Sequence, residues 1–201
     1  MSKVTCQIAM SLDGYVAGPR QSTDDPLGIG GERLHEWMFA SDPHPVDAEV
    51  TAHLLDNNGA YIMGRSMFGP IRGAWEGDWR GWWGDDPPYH TPVFVLTHHP
   101  RESVEMAGGT TFHFVTEGLE VALERAREAA GERNVCIAGG ASTVNQVLAA
   151  GQLDELHLHI APIMLGAGER LFLDVGDPVF EVVEVVTSPA ATHIRYRIAA
   201  A

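Results

Sequence analysis

Two cysteines are all that this chain of 201 residues carries. Cys6 and Cys136 each sit inside an apolar run of strand length, which reads as two buried, reduced thiols and argues against a disulfide framework or a thiolate metal site. Basic residues are also scarce: 13 stand against 27 acidic ones, a net charge of −14. Nucleic acids and anionic membrane surfaces need a basic face, so neither is expected as a partner. A single anionic cofactor is compatible with that charge, because local arginines and helix ends hold phosphate on an acidic protein. No apolar run approaches the ~20 residues of a membrane helix. The opening Met1-Ser-Lys-Val-Thr-Cys-Gln leads straight into a strand pattern without the apolar core of a signal peptide. A soluble, cytoplasmic protein is expected. Internal repeats and low-complexity tails are lacking too. What is present, 45% hydrophobic residues with mixed charge, suits one domain with a sizeable core or one domain with a large insertion.

The periodicity predicts an alternation of strands and helices. Residues 4–10 read as the first strand, running into Asp13-Gly14, a turn signal, and a second apolar segment that closes at Gly18-Pro19. Residues 20–31 are polar and rich in Gly and Pro, hence a loop. A helix is expected over residues 32–40, with Leu34, Trp37 and Met38 on one face, ending at Asp42-Pro43-His-Pro45. Val46, Val50, His53 and Leu54 recur at helical steps and predict a further helix, stopped by Asn57-Asn58-Gly59. Strands are expected over residues 60–63, 93–97 and 110–115, then a helix over 119–130 with Gly131 as its stop. Beyond Gly151 the period becomes two, at 156–160, 180–186 and 193–198, which predicts an antiparallel end to the sheet. Residues 161–172, around Gly166 and Gly168, read as a loop.

Two strand-to-helix junctions carry the chemistry. Residues 134–148 run from an apolar strand through Gly139-Gly140 into a helix opening at Ala141-Ser142. Glycines let the backbone approach a ligand, and free N–H groups at the helix start favour an anion. The same dipeptide also serves as a plain compact connection. Gly64-Arg65-Ser66 repeats the arrangement, with a guanidinium placed for charge-assisted bonds to phosphate. Residues 69–92 carry Trp75, Trp79, Trp82 and Trp83 among glycines and prolines. They form either a pocket wall whose indoles stack on a flat ligand or an insertion pinned to the body or to a subunit interface. His98-His99 on a strand would point to opposite faces, a poor chelating pair, so a phosphate or ribose contact is the better assignment.

The motifs Met10-Ser-Leu-Asp-Gly-Tyr-Val-Ala17, Ile62-Met-Gly-Arg-Ser66, Val95-Leu-Thr97, Ile137-Ala-Gly-Gly-Ala-Ser142 and Leu156-His-Leu-His-Ile-Ala-Pro162 with Gly166 and Gly168 occur in that order. The series resembles the dihydrofolate reductase superfamily, and most closely the stand-alone relatives of the reductase domain of the riboflavin-biosynthesis deaminase-reductase. The resemblance implies an α/β fold, a mixed, mainly parallel sheet flanked by helices with antiparallel C-terminal strands, forming one domain over residues 1–201. It also implies NADPH as cofactor. Gly64, Arg65 and Ser66 would meet its phosphates, Thr97 and His98 the adenosine ribose and 2′-phosphate, and Gly139, Gly140, Ala141, Ser142 and Thr143 the pyrophosphate, with the Gly139–Gly140 bond cis. Ala9 and Ala17 would flank the nicotinamide. Asp13 and Glu36 are the catalytic candidates and Ser11 and Trp37 the substrate-pocket candidates. Asp13 serves equally to make the Asp-Gly turn, and Glu36 equally as a solvated helix position. Relatives commonly form homodimers through the C-terminal sheet.

The chain departs from the bifunctional enzyme in lacking the H-x-E and P-C-x-x-C zinc motif of its deaminase half. It therefore corresponds at most to the reductase half. The first substrate indicated is 5-amino-6-(5-phosphoribosylamino)uracil, although its phosphate wants basic residues, and Arg33, Arg72 and Arg80 belong to no motif. The alternatives are dihydrofolate reduction, with Glu36 as the only available carboxylate, and a non-catalytic NADPH-binding or regulatory protein.

Overall fold

Apolar runs that do not alternate, such as Ala60 to Met63 and Val93 to Val95, need cover on both faces, which is the situation of a buried parallel sheet. The computed structural model, which describes residues 2–69 and 72–199, supplies that cover. Its strands are β1 (Val4–Ser11), β2 (Tyr15–Ala17), β3 (Asn58–Gly64), β4 (Pro92–Leu96), β5 (Val104–Glu105), β6 (Thr111–Val115), β7 (Asn134–Gly139), β8 (Glu155–Ala161), β9 (Glu169–Arg170), β10 (Val179–Thr187) and β11 (Thr192–Ala199). Nine of them form one sheet in the order β10-β11-β8-β1-β7-β3-β4-β6-β5, while β2 and β9 pair in a separate ribbon. The strands from β8 to β6 in that order run parallel. β11 and β10 add antiparallel strands at one edge, as the period-two pattern predicts.

Alternation along the strands divides the interior in two. Ile62, Phe94, Val135 and Ile137 enter one core, with Ala122, Leu123 and Ala126 of α4 (Leu119–Ala130) and Val144, Val147 and Leu148 of α5 (Ala141–Ala149). Tyr61, Met63, Val93, Val95 and Cys136 enter the other, against Phe68 and Phe112. Both cysteines are buried and free. Among the described residues, no helix is long and apolar enough to cross a membrane.

Several elements differ from expectation for local reasons. The helix expected at 32–40 is a 3₁₀ turn, Gly31–His35, followed by one α turn, α1 (Glu36–Phe39). A 3₁₀ turn eclipses positions three apart, which puts Leu34 and Trp37 inward together. The Trp37 indole also donates to the Leu34 carbonyl at 3.0 Å, occupying an acceptor that a continuing helix would use. The helix α2 (Pro45–His53) starts at Pro45, a favourable first position. Its apolar residues Val46 and Val50 are only half-buried, and its single buried residue is Asp47. β3 begins at Asn58, inside the expected helix stop. His98 and His99 lie beyond β4, where Thr97 Oγ1 accepts from His99 N at 3.1 Å, so strand alternation does not govern them. The loop expected at 161–172 contains β9, and the short edge strand β5 had no sequence signal.

The tryptophan-rich insertion, of which residues 70 and 71 lie outside the described residues, is anchored to the body. Trp75 Nε1 donates to His99 O and Trp79 Nε1 to Phe68 O, both at 2.8 Å. Trp75 meets Phe68 and Phe114 edge-on, and Trp79 meets Trp82. Trp83 remains 52% exposed. The pinning role thus accounts for Trp75 and Trp79.

Candidate cofactor and substrate site

In an open parallel sheet, ligands bind beyond the carboxyl ends of the strands. Here those ends converge on a cavity of about 490 Å³. It is lined by Ala9 of β1, Ala17 of β2, Gly64, Arg65 and Ser66 after β3, Thr97 and His98 after β4, and Gly140, Ala141, Ser142 and Thr143 at the start of α5. Eleven of the twelve residues expected at the cofactor are therefore gathered around one space. Gly139 stands immediately behind it, joined to Gly140 by a cis peptide bond.

The cradle is built from backbone. α5 has no side-chain cap, and its first N–H groups have no carbonyl within the helix to bond. Gly64 closes the opposite wall: a Cβ there would lie 2.6 Å from Thr143 Oγ1, so any side chain would push the two walls apart. α3 (Arg65–Phe68) is a single turn, and its contribution is the Arg65 and Ser66 side chains rather than a helix dipole. Arg65 lies 3.0 Å over the Trp75 ring and donates to Thr97 Oγ1 at 3.4 Å and to Gly73 O at 3.5 Å. A second guanidinium, Arg101, sits 4.9 Å from the same ring, with its Nη1 buried and unpartnered. Burial and the neighbouring charge of Arg101 lower Arg65 to about 10. Two cations on one indole form an electrostatic arrangement that an anion relieves. The exposed Arg72 joins the cavity rim, whereas Arg33 and Arg80 are not in its lining.

The catalytic and substrate-pocket candidates fall elsewhere. Ser11, Asp13, Glu36 and Trp37 do not line the cavity. Asp13 is saturated with donors: Ser11 Oγ at 2.6 Å and Leu165 N at 3.1 Å reach Oδ1, and Gly166 N at 2.6 Å reaches Oδ2. The Ser11 bond first, with help from the Gly166 and Leu165 amides, holds its pKa at about 2. Asp13 thereby ties the β8–β9 loop to the β1–β2 turn. The same junction brings Gly168 so close that a Cβ would lie 1.9 Å from the Ala17 carbonyl oxygen. Glu36 is exposed, and Ser11 and Trp37 are buried. His35, adjacent to Glu36, does line the cavity, with its pKa lowered by burial. Sequence reading passed over both His35 and Arg101. Arg101 directly follows His98-His-Pro100, so a basic residue beside a strand end was the available signal.

A smaller cavity of about 300 Å³ lies between α2 and the strands β8, β10 and β11, and Gln7 lines both spaces. Its wall includes the buried His159 and His193. His193 Nε2 meets Asp47 Oδ1 at 2.8 Å, and the two Nδ1 atoms lie 2.9 Å apart. Trp37 packs on both rings, with centroids 4.9 and 4.8 Å away.

This sheet order, with phosphate-type turns at successive strand ends and a cis Gly-Gly bond, defines a dihydrofolate reductase-like fold. The chain belongs to the family of the RibD C-terminal domain, whose model matches residues 2–194. Among solved structures, a protein of Shewanella sp. PV-4 assigned to riboflavin biosynthesis is 23% identical, with a TM-score of 0.69 over 98% of this chain and 99% of that one. Dihydrofolate reductase from Enterococcus faecalis, solved with NADP(H) and RAB-propyl, is 16% identical, with a TM-score of 0.58 over 98% and 96%. RibD from Acinetobacter baumannii is 17% identical, with a TM-score of 0.60; the similarity covers 99% of this chain but 58% of that one. Against curated protein sequences the chain has no match.

Proposed function

We propose that the protein is an NADPH-dependent reductase that delivers hydride to a heterocyclic substrate, with 5-amino-6-(5-phosphoribosylamino)uracil as the first compound to test. The observation that carries the reading is the single cavity in which Gly64, Arg65, Thr97 and residues 140–143 meet. Backbone N–H groups and a close-packed glycine wall suit a pyrophosphate. Arg65 with Arg101 on Trp75 suits a further phosphate, which favours NADPH over NADH. Bound there, the cofactor supplies the hydride; the protein's task is to hold the acceptor carbon in line and keep water out. Asp13, with its fully occupied carboxylate, acts in this reading as a positioning residue for the Ala17 side of the site. Dihydrofolate reduction asks for a buried carboxylate facing the substrate; the exposed Glu36 lines neither cavity, and the buried Asp47 lines neither and is engaged by His193. The pyrimidine reading is therefore preferred. The same proposal includes a homodimer, supported by the apolar face of the edge strand β10.

The test is to incubate the chain with NADPH and the phosphoribosylaminopyrimidine and to follow both cofactor oxidation and product mass. Oxidation matched by a product two hydrogens heavier is expected. NADPH binding without oxidation, with this compound and with dihydrofolate, would instead identify a non-catalytic cofactor-binding protein.

A further inference from the structure

Reduction of a C=N or C=O bond consumes a proton as well as a hydride, and neither carboxylate expected for it is placed to give one: Asp13 already accepts from three donors, and Glu36 is absent from the walls of the first cavity, whose titratable side chains besides arginine are His35, His98, His99 and Glu169. The second cavity holds a better arrangement. Asp47, His193 and His159, 1%, 4% and 4% exposed, form a chain of short contacts from α2 through β11 to β8. At its far end His159 Nε2 is buried and unpartnered. His159 is also the register partner of Ala9, whose strand β1 carries Gln7, the residue common to both cavities.

The hydrogen-bonding rules leave two proton arrangements for this chain. With Asp47 ionised, His193 Nε2 must carry a hydrogen. In one state His193 is neutral, its Nδ1 accepts from His159 Nδ1–H, and His159 Nε2 is a bare lone pair. In the other, His193 is an imidazolium beside Asp47, its Nδ1–H donates to His159 Nδ1, and His159 is neutral with a hydrogen on Nε2. A proton taken up at His159 Nε2 thus places its charge on His193, next to the carboxylate. Burial first, then His193, holds His159 itself far below the usual imidazole range, at about 3. The other charged or titratable groups nearby are Glu49 and His53 of α2, His157 of β8, Glu184 of β10, Arg195 of β11 and His35 of the 3₁₀ turn. Arg195 and Glu184 form a 3.3 Å ion pair, and the carboxylate that meets the histidine pair is Asp47, through His193.

We propose that Asp47, His193 and His159 are a proton relay opening on the second cavity, and that His159 Nε2 gives the proton to the heteroatom of a C=N or C=O bond while hydride from NADPH goes to its carbon. The inference rests on the reductase reading above. The π pair moves to the heteroatom, which takes the His159 Nε2 proton. His159 Nδ1 then takes the proton of His193 Nδ1, and His193 is left neutral with Nε2–H on Asp47. Uptake of a proton at His159 Nε2 once product leaves restores the charged state. His159 is the catalytic residue in this scheme; His193 and Asp47 act through it.

The first test is an NMR titration of the unsubstituted full chain labelled with 15N in histidine. As pH falls through the histidine range, His193 should become protonated on both nitrogens, while His159 stays neutral and moves its hydrogen from Nδ1 to Nε2. Asp47→Asn should abolish that switch. Charge appearing on His159, or no tautomer change on either ring, overturns the relay. The second test is turnover of the phosphoribosylaminopyrimidine with NADPH. His159→Gln should lower kcat about a hundredfold or more and remove the basic limb of the pH profile, with NADPH affinity retained. An unchanged kcat, or a change confined to KM, overturns the catalytic assignment. Failure of the unsubstituted protein to bind NADPH would sink the reductase reading, whereas NADPH binding without the tautomer switch would sink the relay alone.

Discussion

Asp13 shows what a single carboxylate does here without chemistry of its own. Its oxygens accept three bonds and join two loops that frame the cavity. A pKa of about 2 in the folded chain, against ~3.9 unfolded, means that the contact stabilises the fold above the unfolded value and is lost as pH falls toward the folded one. The side chain is partly exposed, so solvent screens the effect. Asp13→Asn should lower the melting temperature at neutral pH, with the gap to the unsubstituted protein closing on acidification toward pH ~2. Calorimetry across that range checks this, and a gap independent of pH would contradict it. At this scale, legibility depended on sequence distance. Gly64, Arg65 and Gly139-Gly140 announce themselves because strand, glycine and polar residue are neighbours in the chain. Asp47 and His193 lie 146 residues apart and His159 and His193 lie 34 apart, so their pairing exists only in the folded register.

Elements were read correctly where one face meets the core. α4 follows its Ala122, Leu123 and Ala126 stripe to the predicted residue, and Gly131 ends it with a left-handed φ of 60°. α2 is a helix as expected, but the face differs: its apolar positions Val46 and Val50 are half-buried and its inward residue is the carboxylate Asp47. β10 is an instructive case of a strand predicted from alternation. It forms the sheet edge, with a register shift between Val182 and Glu184, and it leaves Val179, Val182 and Val185 62%, 63% and 51% exposed. A valine-rich edge strand invites pairing with another chain. Sedimentation velocity should therefore report the mass of two chains, and Val182→Lys should shift the protein to one. A single-chain mass for the unsubstituted protein would refute the dimer.

At the scale of the whole molecule, an acidic chain of net charge −14 places two of its arginines on one indole, and one of them, Arg65, lines a glycine-walled cavity. The fold was legible because the order of strand-end motifs is a linear property of the sequence. The second cavity was not, since it is assembled from α2, β8, β10 and β11 across the sheet. The central claim is that this cavity binds NADPH, and Trp75, stacked on Arg65, provides a reporter. The decisive measurement is a titration of tryptophan fluorescence with NADPH, repeated with NADH and with Arg65→Ala. Saturable quenching with a dissociation constant in the micromolar range is predicted, with NADH weaker and Arg65→Ala weaker by about tenfold or more, as loss of a charged hydrogen bond of ~1.5–3 kcal/mol requires. The absence of saturable quenching up to about 1 mM NADPH would contradict the account.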